Sequence, residues 1–198
     1  YIYISMSTLC VTGYWTIISK IKSKNYLEHF KKTLPLQCDF VFFGNNEKLI
    51  NKLIKKNRSN LNTKFINLNI NEFKSYKYYN KYPVIKLNKH KVFINNKHCP
   101  SIELFCIWME KINILKTAKN NYPNYEWYCW YDSGLSRFRK RALIPQDNWP
   151  NNNKLHLLEK DKINCDVLNT FVKATAFILH RDFIDIFHKI FYKKLREL

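Results

Sequence analysis

The chain has 198 residues, 46% hydrophobic and 16% aromatic, which is enough apolar material for one packed domain and too much for a disordered one. Its formal net charge of +19 rests on 28 lysines against 6 arginines, a surface suited to gathering anionic substrates. A reader of nucleic-acid sequence leans on arginine's planar fork, so the composition disfavours that class and leaves a basic nucleic-acid-binding module as an alternative only.

In chain order, Ile2 to Ile18 is apolar but lacks a basic leader and is broken by Ser5, Ser7, Thr8, Thr12 and Gly13, so no signal peptide is expected. No apolar run reaches the ~18 residues of a membrane span. A first strand is predicted over Thr8 to Thr12, leading into Gly13. Around Asn25 to Leu34, a helix places Tyr26, Leu27 and Phe30 on one face, and Pro35 stops it. Phe40 to Phe43 is uniformly apolar, as a strand covered on both faces is, and Gly44 follows it. Asn45 or Asn46 caps the next helix, whose Leu49, Ile50, Leu53 and Ile54 make an apolar stripe. Alternation over Thr63 to Ile70 predicts a third strand. From Phe73 to Lys97 lysines interleave with tyrosines, which reads as a loop or a partial lid.

Ser101 is placed to cap a long helix whose Leu104, Phe105, Trp108, Met109, Ile112 and Leu115 trace a buried face. That helix feeds a strand over Trp127 to Tyr131, which ends in Asp132-Ser133-Gly134. A strand that delivers a carboxylate to its C-terminal end is suited to the mouth of an α/β sheet, where ligands bind. Arg137, Arg139, Lys140 and Arg141 follow closely. A carboxylate holding a divalent cation, with arginines beside it, suits a diphosphate. Equally, Asp132 caps a turn while the arginines coat a surface. Strand-like stretches at Leu155 to Leu158 and Phe171 to Leu179 precede a closing helix with Phe183, Phe187, Ile190 and Phe191 inward and Asp182 as its N-cap.

The alternation predicts a single α/β domain over residues 1–198 with a mainly parallel central sheet. Six cysteines without a CxxC pair read as reduced, mostly buried thiols of a cytoplasmic protein. P-loop, GxGxxG, G-x-S-x-G and HExxH patterns are absent.

An ordered series of short motifs runs from residue 8 to 192. It comprises Val11-Thr12-Gly13-Tyr14-Trp15, Tyr26-Leu27-Glu28-His29-Phe30, Cys38 to Phe43, Arg58 with Thr63 to Ile66, Pro100 to Leu104, Ile107 to Lys111, and Trp130 to Gly134 with Arg137. In this the chain resembles the HtrL/YibB (WlaTC-like) glycosyltransferase family. The resemblance implies a GT-A-like fold, a nucleotide-diphosphate sugar donor, an unidentified glycan or protein acceptor, and a divalent cation, Mn2+ or Mg2+. It implies that Asp132 is the catalytic, metal-associated acid and that Thr12, Gly13, Tyr14 and Trp15 lie under the nucleotide, with the Tyr14 or Trp15 ring stacking on the base. Arg58, Lys111 and Arg137 are then diphosphate ligands. Three departures stand out: Asp132 has no second aspartate beside it, which leaves metal dependence open; Lys173 to Leu179 stands where the family has a glycine-rich stretch; and the chain stops at Leu198 where the family continues. The last implies a C-terminally shortened member, or a catalytically inactive relative that still binds nucleotide-sugar.

Overall fold

The computed structural model describes residues 8–18, 23–79, 99–134 and 176–197. It is an α/β structure built on a five-stranded sheet in the order β3-β2-β1-β4-β5. The strands are β1 (Thr8–Tyr14), β2 (Asp39–Gly44), β3 (Thr63–Asn67), β4 (Trp127–Tyr131) and β5 (Ala176–His180). The first four are parallel, and β5 runs antiparallel to β4. In register, Cys10 faces both Phe40 of β2 and Cys129 of β4. The central strand thus reverses the direction in which the sheet grows: β1 leads outward through β2 to β3, and the chain then returns to add β4 on the other side. The arrangement is compatible with a Rossmann-like fold.

Two helix layers cover the sheet, and strand alternation sorts the side chains between them. Leu9, Val11, Val41, Phe43, Tyr128 and Trp130 belong to one core. It is covered by α3 (Lys74–Tyr79), α4 (Ile102–Asn121) and α5 (Arg181–Glu197). Cys10, Tyr14, Phe40, Phe42, Cys129 and Tyr131 belong to the other, under α1 (Ser23–Lys31) and α2 (Glu47–Asn57). This explains why β2 is apolar at every position from Phe40 to Phe43. All four side chains are fully buried, each stabilising by roughly 1.5–3 kcal/mol through area removed from water.

Helix starts follow local chemistry. Asn46 Oδ1 accepts the Leu49 N–H at 3.1 Å, and Ser101 Oγ accepts the Leu104 N–H at 3.2 Å while donating to Ile18 O at 2.8 Å. The lysine–tyrosine stretch after Phe73 begins as helix α3 rather than loop, because the Glu110 carboxylate accepts the Lys74 and Ser75 N–H groups at 3.1 and 3.0 Å and so supplies the cap.

Elsewhere the elements differ from expectation for identifiable reasons. The first helix stops at Lys31 and gives way to a turn, after which the Arg58 guanidinium gathers the Leu34 and Leu36 carbonyls. The third strand ends at Asn67, and a 3-10 turn follows at Ile70–Glu72. At the last helix Asp182 is not the N-cap. It lies in the first turn, and its N–H donates to the His180 ring Nδ1 at 3.3 Å, so His180 takes that place. Phe183 is 40% exposed instead of inward; Ile184, Phe191 and Leu195 are the buried stripe. The predicted strand at Leu155 to Leu158 and the basic cluster from Arg137 to Arg141 lie outside the described residues. Among the described residues, no helix is long and apolar enough to cross a membrane.

Candidate functional site

Open α/β sheets bind ligands in the crevice beyond the strand C-termini where growth of the sheet reverses. Here that point lies between β1 and β4, and a small cleft, partly open to solvent, occupies it. The exit of β1 contributes Gly13 to Ile17, and the exit of β4 contributes Trp130, Asp132 and Ser133. Tyr26 of α1 closes one side, and Leu104, Ile107 and Trp108 of α4 close the other.

Asp132 is the one ionised side chain in the described lining. Its carboxylate is held from below. Lys111 Nζ lies 2.8 Å from Oδ1, and Trp130 Nε1 donates to the same oxygen at 2.6 Å. The Lys111 side chain is only 2% exposed, against 29% for Asp132, so the ammonium sits inside and the carboxylate meets solvent. Lys111 also lies 5.4 Å over the Trp130 ring, a cation–π contact that softens the cost of burying it. Its partner is dictated by position. Lys111 follows Trp108 by one helical turn on a packed face of α4, where an ammonium without a carboxylate would be several kcal/mol too costly.

The turn after Asp132 is fixed by the first helix and the turn that follows it. Tyr26 OH and Ser133 Oγ are 2.9 Å apart, and Thr33 Oγ1 donates to Ser133 O at 2.9 Å. Gly13 and Gly44 serve packing at strand ends. A Cβ on Gly13 would overlap the Trp15 ring, and one on Gly44 would run into the Tyr14 backbone carbonyl and lie 2.6 Å from Ile50 Cδ1.

The structure brings together Gly13, Tyr14, Trp15, Asp132 and, through Asp132, Lys111. It separates the rest. Thr12 is fully buried in β1 with Oγ1 enclosed and unbonded, and it is not part of the lining. Arg58, expected as a diphosphate ligand, is at the opposite end of the sheet. Its guanidinium donates to the carbonyls of Leu34, Leu36 and Cys38 at 2.6, 2.7 and 2.5 Å and to Thr63 Oγ1 at 2.9 Å. It also lies over the Phe40 ring. All of this is structural work, so Arg58 is withdrawn from the site. Arg137 lies outside the described residues.

The aromatic expectation also needs correction. Trp15 packs edge-on against Phe73 and donates from Nε1 to Leu68 O at 2.8 Å. Tyr14 stacks on Phe30 and Tyr26, and burial pushes its hydroxyl above the ordinary range. Each of the two side chains is only 4% exposed, which leaves little ring surface for a base. Half-buried Trp108 and Tyr26 are the more accessible aromatics of the lining. The sequence placed Trp108 on a buried face and so missed it. From the sequence Trp130 had no assigned role either, although residues two apart along a strand share a face, the one local signal that set its indole beside Asp132.

A divalent cation fits the described residues poorly. Asp132 offers one oxygen not already bonded within them, and an ammonium stands against its other oxygen. At an effective dielectric of about 20 and a separation of roughly 5 Å, each unit of metal charge costs about 3 kcal/mol against such an ammonium. No group of three or more His, Cys, Asp or Glu suited to a metal stands together among the described residues. Compared with known proteins, the chain matches no family model, no curated protein and no solved structure.

Proposed function

We propose that this chain is a GT-A-like glycosyltransferase domain of the HtrL/YibB kind, which takes a nucleotide-diphosphate sugar as donor and passes the sugar to a glycan or protein acceptor. One observation carries the reading: an aromatic-walled cleft with a single buttressed carboxylate lies at the C-terminal ends of β1 and β4, where the sheet reverses its growth. Aromatic walls suit a nucleobase or a sugar ring, and a carboxylate suits hydroxyl groups. The leaving group of such a transfer is a nucleoside diphosphate, whose developing charge needs cationic partners. Arg137, Arg139, Lys140 and Arg141 follow Gly134 closely in the sequence and are the candidates for that task.

Thermal unfolding against nucleoside diphosphates and nucleotide-sugars tests the reading. A ligand bound only to the native state at a hundred times its Kd adds about 2.7 kcal/mol, a rise in Tm of roughly 5–10 °C for a chain of this size. The expected outcome is a rise confined to one nucleotide and its sugar conjugate. A flat panel, with affinity for nucleic acid that falls steeply with salt, would replace this reading with that of a basic nucleic-acid-binding module.

A further inference from the structure

We infer that Asp132 serves the cleft as a charge-compensated acceptor for sugar hydroxyls, with the buried Lys111 ammonium in place of a metal ion, so that donor binding needs no divalent cation. The inference rests on the nucleotide-sugar reading of the cleft and adds to it the chemistry at its floor. Among the described residues, both donors that reach Asp132 end on Oδ1: Lys111 Nζ at 2.8 Å and Trp130 Nε1 at 2.6 Å. They come from different elements, α4 and β4, and converge on one oxygen. Two such bonds fix the carboxylate plane, and Oδ2 is left as the oxygen available to the cleft that Asp132 lines.

The charge arithmetic decides what Oδ2 can take. Asp132 and Lys111 together are neutral, so the floor of the cleft does not attract a dication as a lone carboxylate or an aspartate pair would. It does not repel a neutral hydroxyl either. A hydroxyl donating to an ionised carboxylate makes a short, charge-assisted bond. Tyr26 and Trp108 offer ring surface beside it, and a flat apolar wall next to a fixed acceptor is the usual way to hold a sugar ring. Lys111 and Trp130 are positioning residues here, and Asp132 is the group that touches the ligand. The hydroxyl has two sources, the ribose of the nucleotide or the sugar being transferred.

Calorimetric titration of the whole chain separates these cases. The probes are UDP, GDP, ADP and CDP, their 2′-deoxy forms and the matching nucleotide-sugars, each with excess EDTA and with manganese. The affinity of the preferred nucleotide is expected to agree in EDTA and manganese to within about twofold. Loss of a hydroxyl bonded to a carboxylate is expected to weaken binding about ten- to a hundredfold. If the 2′-deoxy form shows that loss, the hydroxyl is the ribose's. If only the nucleotide-sugar gains over the diphosphate, and the gain vanishes in Asp132→Ala, it belongs to the transferred sugar.

Asp132→Ala removes the carboxylate beside a buried ammonium and can unfold the chain, so the Lys111→Met/Asp132→Ala double variant, which removes both charges, carries the same measurement. Trp130→Phe keeps the ring and removes only the indole donor. It is expected to reduce the hydroxyl discrimination while melting near the wild type, a combination that a merely structural role for the indole would not produce. Binding that appears only with manganese overturns the inference and leaves the nucleotide-sugar reading standing. Hydroxyl discrimination that survives in the double variant also overturns it. Failure of every nucleotide in both conditions overturns the reading itself, and the inference with it.

Discussion

The two ends of the sheet each bury a cation, and they use it differently. At the N-terminal ends of β2 and β3, Arg58 spends its guanidinium on three backbone carbonyls and a threonine hydroxyl. Burial there pushes it below its ordinary range. At the C-terminal ends of β1 and β4, Lys111 spends its ammonium on a carboxylate that still meets solvent. A planar fork reaching diverging carbonyls ties a loop together. A point charge behind a single carboxylate orients that group toward a cleft. Burial of a cation does not distinguish a binding residue from a structural one; the exposure of its partner does.

The largest effect should come from Arg58→Met. It leaves carbonyls unsatisfied beneath two phenylalanine rings, and a loss of about 3 kcal/mol or more is expected, read as a fall in Tm of roughly 10 °C, with any nucleotide response retained. A melting temperature near wild type would remove the contrast between the two ends.

Next comes the asymmetry within the other pair. Asp132→Ala removes the carboxylate beside a buried ammonium and should cost about 3 kcal/mol. Lys111→Met leaves a carboxylate that water reaches, and should cost about 1 kcal/mol. Equal losses in denaturant titration would mean that Asp132 is as buried in solution as its partner.

A pH effect should arise away from both ends. His188 donates from Nε2 to Asn113 Oδ1 at 3.2 Å, since the Asn113 amide already donates to Glu110 Oε1 at 2.6 Å. Burial, with Lys116 and Lys74 nearby, lowers its pKa from 6.5 to about 4. With the folded pKa below the unfolded one, its contribution is full above about pH 6.5 and is lost as pH falls towards 4. A loss of roughly 2 kcal/mol is expected after discounting for partial exposure, absent in His188→Gln. If acid sensitivity persists unchanged in that variant, its source lies elsewhere.

Smallest is Asp185, which pairs with Lys116 at 2.9 Å and with Lys119 across α4 and α5. Both lysines hold its carboxyl below the usual range, but half of it is exposed. Asp185→Asn should therefore cost under about 1 kcal/mol, and less at high salt.

Much of this molecule was legible in the chain itself. Trp127 to Tyr131 had to be a strand covered on both faces, because four aromatic residues and a cysteine in a row leave no side for water, and the acid had to come where it ends. Ser101 and Asn46 announced their helices, since a side-chain oxygen before an apolar stripe satisfies the free N–H groups. The stop of the first helix at Lys31 and the helical start of the lysine–tyrosine stretch were harder to read. Both depend on partners distant in sequence: Arg58 gathering the carbonyls after α1, and Glu110 capping α3.

The placement of the charged residues was decided only by tertiary structure. Nothing local in the sequence separates Arg58 from Lys111 as a site residue: Asn57 and Ser59 flank one, Glu110 and Ile112 the other. Which one serves a cleft depends on which end of the sheet it reaches and on what it meets there. Local pattern fixes whether a side chain is buried, through the 2.0 and 3.6 residue periods. The acceptor it finds comes from another part of the chain, brought close by strand order, and no local period encodes that.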